Sequence, residues 1–211
     1  MDSLLSRVDH LVYGTPDLDA AVDDLERLLG VRASAGGQHP GRGTRNALMA
    51  LGPRCYLEIV GPDPDQPPPL QGRWFGIDTL TRPRIVRWAA KGTALARLAA
   101  DAWTKGVDLG AVSLGSRTGA DGATLRWAFT DPDTVVAGGI VPFFIDWGES
   151  DHPSVSAARG VEITGLRAEH PFPDRVCPLL ASLGLVVVVQ DGPEPALVAT
   201  VRTARGTVDL Q

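Results

Sequence analysis

The first thirty residues predict a strand followed by a helix. Apolar and polar residues alternate with period 2 over residues 8–13, which is typical of a strand, and His10 falls on the face that the alternation makes apolar. The next residues, GTPDLD, supply a turn in which Asp17 or Asp19 can cap a helix. Apolar positions then recur at helical spacing until Gly30, where the sequence predicts that the helix ends.

Further strands follow a glycine-rich loop. The runs NALMALG and CYLEIVG are separated only by PR, which predicts an antiparallel pair, and one more strand is predicted near residues 31–35. The unit is therefore β-α-β-β-β.

This order of elements occurs three times along the chain. We predict an α+β fold of repeated β-α-β-β-β modules over residues 1–62, 84–149 and 160–211. A proline-rich connector, residues 63–83, joins the first two modules, and residues 150–159 link the second to the third. The repeats agree in pattern rather than in residue identity.

Composition narrows the function classes. The chain has 211 residues, of which 44% are hydrophobic, enough for a sizeable core. Its net charge of −5 and its scattered arginines argue against a nucleic-acid partner. The N-terminus lacks the pattern of a signal peptide and no apolar run reaches the length of a membrane helix, so we expect a cytoplasmic protein without a membrane partner.

Four segments together resemble a known group. VDHLVYGTPDLDAAVDDLERLLG, GGQHPGRGTRN, CYLEIVG and VPFFIDWG are similar to segments of the glyoxalase-like proteins of the vicinal oxygen chelate superfamily. The resemblance implies paired modules that curl into half-barrels around a cleft, with helices outside. It also implies that metal-using members take ligands from the first and last strands of each module. The superfamily includes glyoxalases, extradiol dioxygenases, epimerases, resistance proteins and metal-free drug-binding members, so the fold does not choose the chemistry.

Two ionisable residues lie in strands of the first module whose inward face should be apolar, His10 in its first strand and Glu58 in its last. A buried carboxylate needs a partner, which either a divalent metal or a hydrogen bond between the two side chains would supply. Aligning the last strands of the modules places Asp146 of the second module opposite Glu58. His10, Glu58 and Asp146 would then form a facial triad for zinc, nickel, manganese or iron, with positions left for a substrate.

The second first-strand ligand of the metal pattern is missing. Aligning the modules puts Arg87 opposite His10 and Ile163 in that position of the third module, while Asp209 matches Glu58. The guanidinium group of Arg87 would either repel a metal or supply the positive charge in its place. If it supplies the charge, it would bind a carboxylate substrate bidentately.

Other candidate residues lie in loops and at strand ends. In GGQHPGRGTRN, His39 and Asn46 either contact a substrate or, in the case of Asn46, tie down the turn itself. His152 is a candidate ligand or acid–base residue near Asp146, and Trp147 is a candidate for contact with an aromatic ligand.

The sequence thus favours a glyoxalase-like lyase or isomerase acting on a small oxygen-rich or carbonyl metabolite. Glu58 or His152 would move the proton, with His39 as a further acid–base candidate. The competing hypothesis is a metal-free protein that binds a small molecule in the same cleft. Because half-barrels pair, three modules leave one over, or one pairs across a homodimer.

Overall fold

The structure is a computed structural model that describes residues 4–118 and 124–211. The described part contains two β-sheets with helices packed outside, and the predicted α+β class with a curled half-barrel sheet is confirmed. The first segment comprises α1 (Leu4–Arg7), β1 (Val8–Gly14), α2 (Leu18–Leu29), β2 (Ser34–His39), β3 (Thr44–Gly52) and β4 (Cys55–Pro62). A 3-10 helix, Trp74–Thr79, lies in the proline-rich connector.

The second and third segments continue the series. The second contains β5 (Arg84–Lys91), α3 (Leu95–Thr104), β6 (Val112–Thr118), β7 (Thr124–Thr130) and β8 (Phe143–Asp146). The third contains β9 (Val161–His170), α4 (Pro173–Ser182), β10 (Val188–Asp191), β11 (Ala196–Thr203) and β12 (Gly206–Leu210). Short 3-10 helices lie at Ala137–Gly139 and Pro153–Val155. No helix among the described residues is long and apolar enough to cross a membrane.

The first two segments join into one eight-stranded sheet of order β2-β3-β4-β1-β5-β8-β7-β6. In each half the first strand lies parallel to the last, β1 with β4 and β5 with β8, and the halves meet where β1 runs antiparallel to β5. The edge strands β2 and β6 approach each other as the sheet curls. β1, which carries His10, therefore lies at the centre of the sheet.

The third segment forms a separate four-stranded sheet of order β10-β9-β11-β12. Here the first strand pairs in parallel with the second, and the last strand is an edge. The segment thus repeats the order of elements but not the order of pairing. It packs outside the larger sheet, with β9 near β3 and β11 near β5.

The eight-stranded sheet is buried on both faces. On its outer face, α2, α3 and the four-stranded sheet enclose the larger apolar cluster, which includes Leu11, Leu57 and Trp88. On its inner face a second apolar cluster includes Tyr56 and Phe143. Burial on both faces explains why the central strand β1 is almost continuously buried rather than alternating.

Local signals explain the ends of α2. The carboxylate of Asp17 accepts a hydrogen bond from the backbone N–H of Ala20 at 3.1 Å, which resolves the choice of capping residue. Gly30 closes the helix with φ of +77°, a conformation that glycine adopts without the steric penalty of a Cβ. The apolar stripe between these caps fixes α2 on the outer face.

We expect Trp88→Phe to destabilise the protein by about 2 kcal/mol. Trp88 is fully buried and its indole N–H donates to the carbonyl of Ile140 at 2.7 Å, so the substitution leaves a buried carbonyl without its partner and opens a void. Urea denaturation measures the change. Trp103→Phe is the matched control, because that side chain is 68% exposed, and it should change stability by less than about 0.5 kcal/mol. Equal effects of the two substitutions would contradict this account of the outer core.

Candidate functional site

A pocket opens on the inner face of the eight-stranded sheet. Its empty space, including the mouth, is about 570 Å³. Four of its lining residues carry chemistry and come from the first segment: His10, His39, Asn46 and Glu58. The remaining walls are apolar and largely aromatic, and both halves of the sheet and the connector contribute to them: Leu48, Tyr56, Trp74, Phe75, Trp127, Phe129, Pro132, Phe143, Ile145, Trp147 and Pro153.

Glu58 is the centre of the polar group. Its Oε1 accepts a hydrogen bond from Nδ2 of Asn46 at 2.5 Å and lies 3.5 Å from Nε2 of His39. Its Oε2 lies 3.8 Å from Nε2 of His10. Burial by itself raises the pKa of Glu58, but the hydrogen bond and charge of His39, the charge of His10 and the amide of Asn46 outweigh it and lower the pKa to about 2. Glu58 is therefore a carboxylate at neutral pH.

The glycine-rich segment folds into the β2–β3 hairpin and positions Asn46 and His39. Oδ1 of Asn46 accepts the backbone N–H of Gly37 at 2.8 Å, which directs its NH₂ group toward Glu58 and toward Nε2 of His39, 3.1 Å away. A Cβ at Gly36 would lie 2.0 Å from Oδ1 of Asn46, so a side chain there would displace the amide. Asn46 thus secures its own hairpin, as one sequence alternative predicts, and it also lines the pocket; its contact with a substrate stays a prediction.

A β-bulge in β1 sets the direction of Asp9. In a regular strand, neighbouring side chains point to opposite faces. The pairing of β1 with β5 shifts register between Val8, opposite Ala90, and His10, opposite Ala89, so Asp9 is an extra residue without a counterpart. As a result its carboxylate contacts the ring of the adjacent His10.

The carboxylate of Asp9 is buried and accepts three N–H groups. Oδ1 lies 2.9 Å from Nδ1 of His10 and 3.2 Å from the indole nitrogen of Trp147, and Oδ2 lies 3.2 Å from Nε2 of His152. Burial raises the pKa of Asp9, but the hydrogen bonds and charges of His10 and His152 overcome it and hold the pKa well below its usual range. An ionised acceptor of this kind fixes the proton of His10 on Nδ1.

His152 lies behind His10 rather than in the pocket. Its Nδ1 accepts the backbone N–H of Ser154 at 3.2 Å, so the neutral ring carries its proton on Nε2 and donates it to Asp9. The predicted role of His152 as an acid–base group facing the ligand is not supported by this position. Trp147 does line the pocket, as expected for a residue that contacts a ligand, and its N–H is engaged by Asp9.

Two predicted residues lie outside the pocket, and their expected contacts require correction. Side chains alternate along β8, so Phe143 and Ile145 face the pocket while Asp146 faces a neighbouring open cleft and accepts the N–H of Gly148. Arg87 donates to the carbonyls of Pro132 and Val86 at 3.3 and 3.0 Å, and it pairs with neither Glu58 nor Asp146.

Asp209 is remote from the pocket. It lies on the edge strand β12, where Arg167 and Thr200 bind its carboxylate. It does not take the position of Glu58, because the four-stranded sheet orders its strands differently.

The sequence analysis does not identify Asp9 or the connector as parts of the site. Strict alternation predicts Asp9 on the opposite face from His10, yet an acidic residue inside an apolar strand is itself a signal of a buried polar partner. Trp74 and Phe75 of the connector also line the pocket, and the indole N–H of Trp74 donates to Oγ1 of Thr44 at 3.1 Å.

The residues at the pocket do not fit the predicted metal triad. Asp146 is absent from the pocket, and within the described residues no three histidine, cysteine, aspartate or glutamate side chains are placed to hold one ion. The NH₂ group of Asn46 also donates to Oε1 of Glu58, an atom that the predicted triad would use. An amide NH₂ group is a hydrogen-bond donor and not a metal ligand.

We expect the free energy of unfolding to fall as the pH drops from about 4.5 to about 2, with Glu58 as a major cause. Its pKa is lower in the folded state, so the unfolded state binds the extra proton and acid favours unfolding. Glu58→Gln should reduce the fall by about 3 kcal/mol in urea denaturation at a series of pH values. Glu162→Gln is the control, because that carboxylate is 56% exposed on the other sheet. An unchanged pH dependence in Glu58→Gln would refute the assignment.

A family model and one solved structure agree with this architecture. A family model described as a glyoxalase-like domain matches residues 8–184. A hypothetical protein from Staphylococcus aureus superposes with a TM-score of 0.65 at 12% identity, covering 96% of this chain and 83% of that chain, and shows the same fold. Methylmalonyl-CoA epimerase from Mycobacterium tuberculosis aligns with a TM-score of 0.45 at 22% identity, covering 74% of this chain and 95% of that one.

A comparison with curated proteins finds no match. The family model nevertheless spans most of the chain, including both halves of the eight-stranded sheet and the whole pocket lining. The chain therefore belongs to the glyoxalase-like domain family.

Proposed function

We propose that this protein is a proton-transfer enzyme, an isomerase or lyase that acts on a small carbonyl compound, with His10 as the acid–base residue. The observation that carries the proposal is the Asp9–His10 pair, whose free ring nitrogen, Nε2, is directed toward the pocket and Glu58. A histidine oriented by a carboxylate on one nitrogen and open to a pocket on the other is a common arrangement for general acid–base catalysis.

The hydrogen bonds specify which nitrogen reacts. Because Asp9 binds the Nδ1 proton, neutral His10 has its lone pair on Nε2, where a substrate C–H can be reached. Stacking of the ring on Tyr56, with centroids 4.7 Å apart, and edge contact with Phe143 hold the imidazole plane. Asp9 is in turn held by Trp147 and His152, so it acts as a positioning residue.

The reaction follows from these positions. His10 Nε2 takes a proton from carbon next to the carbonyl, the C–H electron pair moves into the substrate to give an enolate, and imidazolium forms between two carboxylates. Glu58, 3.8 Å from Nε2, stabilises that positive charge without competing as a base, since its pKa is about 2. Return of the proton to a neighbouring atom completes an isomerisation, and loss of a leaving group from the enolate completes an elimination.

Asn46 supplies a donor for the developing enolate oxygen. Its NH₂ group lies at the pocket, between Glu58 and His39, and can donate to a substrate oxygen, while His39 keeps its contact with Thr44, 2.8 Å between Nδ1 and Oγ1. Aromatic walls exclude water and strengthen these electrostatic interactions.

His10→Ala should slow proton exchange by about 100-fold or more. The assay incubates the protein with phenylacetone in D₂O and follows loss of its benzylic protons by NMR, because this probe is neutral, ring-sized and enolisable. His170→Ala is the matched control, since that histidine lies on β9 of the four-stranded sheet, away from the pocket. Exchange that survives in His10→Ala would eliminate His10 as the base.

The proposed chemistry runs without a metal. Treatment with EDTA or 1,10-phenanthroline should leave the exchange rate unchanged, and elemental analysis of untagged protein should find only substoichiometric metal, because the predicted ligand triad does not converge. One equivalent of metal that is lost in both His10→Ala and Glu58→Ala would contradict this and revive the metal-dependent alternative.

The second candidate is a metal-free binding protein that uses the same pocket. The enclosure by aromatic rings favours it, since such walls bind small molecules whether or not chemistry follows. Retained binding of phenylacetone without exchange would select this candidate over the enzyme.

A further inference from the structure

We infer that the pocket selects an uncharged, ring-sized ligand and rejects carboxylates, phosphates and ammonium compounds of the same size. This inference names the substrate class of the proposed function and rests on that function for the identity of the site. It is carried by the charges and partners of the side chains around the pocket.

Among the residues that the structure describes, no lysine or arginine side chain lines the pocket. An anion that enters would lose its hydration and meet Glu58, a buried carboxylate, with no lysine or arginine of the described lining to offset the cost. Sites built for carboxylate or phosphate instead present arginine forks or lysine.

Two arginines beside the pocket walls, Arg42 and Arg73, are engaged elsewhere. Arg42 lies over the ring of Trp74, 4.8 Å from its centroid, and pairs with Asp133 at 3.6 Å. Arg73 pairs with Asp78 at 2.5 Å and donates to the carbonyl of Gly43. Their guanidinium groups therefore hold loops together rather than serve a ligand.

Arg87 completes this set. Both of its hydrogen bonds run to backbone carbonyls, those of Pro132 and Val86. The carboxylate-binding role considered for Arg87 from sequence is thus replaced by a structural one.

A cationic ligand is disfavoured for a different reason. Glu58 already has Asn46 and His39 on one oxygen and the ring of His10 next to the other. Since these groups stabilise its negative charge, an ammonium group would have to displace them to gain an ion pair. A neutral hydroxyl or carbonyl group can form hydrogen bonds near Glu58 and His10 without the cost of desolvating an ion.

The rest of the pocket matches the carbon part of such a ligand. Phe143 and Trp147 lie near His10, and Trp127 stacks obliquely on Trp147 with centroids 5.2 Å apart. Aromatic faces and edges of this kind pack against a planar ring. The ligand would therefore place its polar group at Glu58 and His10 and its ring among these side chains.

Benzyl alcohol, benzoate and benzylammonium test the inference, because they share a ring and differ in charge. Titration is followed by the indole N–H signals of the tryptophans in two-dimensional NMR, assigned by single Trp→Phe variants. Trp74, Trp127 and Trp147 line the pocket and should shift, whereas Trp88 in the outer core and Trp103 on the surface are internal controls. Benzyl alcohol should bind with a Kd roughly tenfold or more below those of the two ions.

Removing the charge of the pocket gives a second readout. Glu58→Gln should lower the ratio of the Kd of benzoate to the Kd of benzyl alcohol by roughly threefold or more, because the repulsion between Glu58 and the anion is lost. Glu149→Gln should leave the preference unchanged, since Glu149 is exposed in the neighbouring cleft. Tighter binding of benzoate or benzylammonium than of benzyl alcohol in the wild type overturns the inference.

The two proposals fail separately. Selective binding of benzyl alcohol without proton exchange of phenylacetone refutes the enzyme and leaves the ligand class intact. If proton exchange depends on His10 but an ion binds more tightly than benzyl alcohol, the enzyme proposal stands and the ligand class is refuted. Shifts confined to Trp88 and Trp103 would overturn the assignment of the ligand to this pocket.

Discussion

The site depends on one buried carboxylate, that of Asp9, and on the three N–H groups that it accepts. A charge in this apolar surrounding is tolerated only because His10, Trp147 and His152 all donate to it. Those donors come from the first strand, the end of the second half of the sheet and the following loop, so the same hydrogen bonds that stabilise the carboxylate also connect the two halves. The tautomer of His10 follows from this arrangement.

The pairing of the first two segments gives the pocket its mixed character. The first segment contributes the polar groups, and β7, β8 and the connector contribute most of the aromatic wall. A half-barrel alone would leave Glu58 beside solvent and raise the effective dielectric around His10. Closure of the sheet, with β2 near β6, places these groups in an apolar enclosure instead. The third segment packs outside and buries the outer face, which leaves the inner face to the site.

Much of the architecture and half of the site could be predicted from sequence. Alternation, caps and repeats predicted the strands and helices, and His10, His39, Asn46 and Glu58 do meet at one pocket. Asp146 failed because aligning repeats by pattern leaves an uncertainty of one residue, and one residue reverses the face of a strand. Arg87, which lies opposite Val12 of β1, failed because its guanidinium group is bound by backbone carbonyls. Asp209 of the third segment does not reach the site, because the same order of elements along the chain permits a different order of strands in the sheet.

The sequence by itself determined the elements, the family and the chemistry available in the first strand and the hairpin, because these depend on local patterns and on residue types close along the chain. Only the tertiary structure decided which segments pair, that a bulge brings Asp9 onto His10, and that the arginines turn away from the pocket. Those outcomes depend on register and on contacts between residues such as Asp9 and His152, which lie far apart along the chain. No local pattern encodes them.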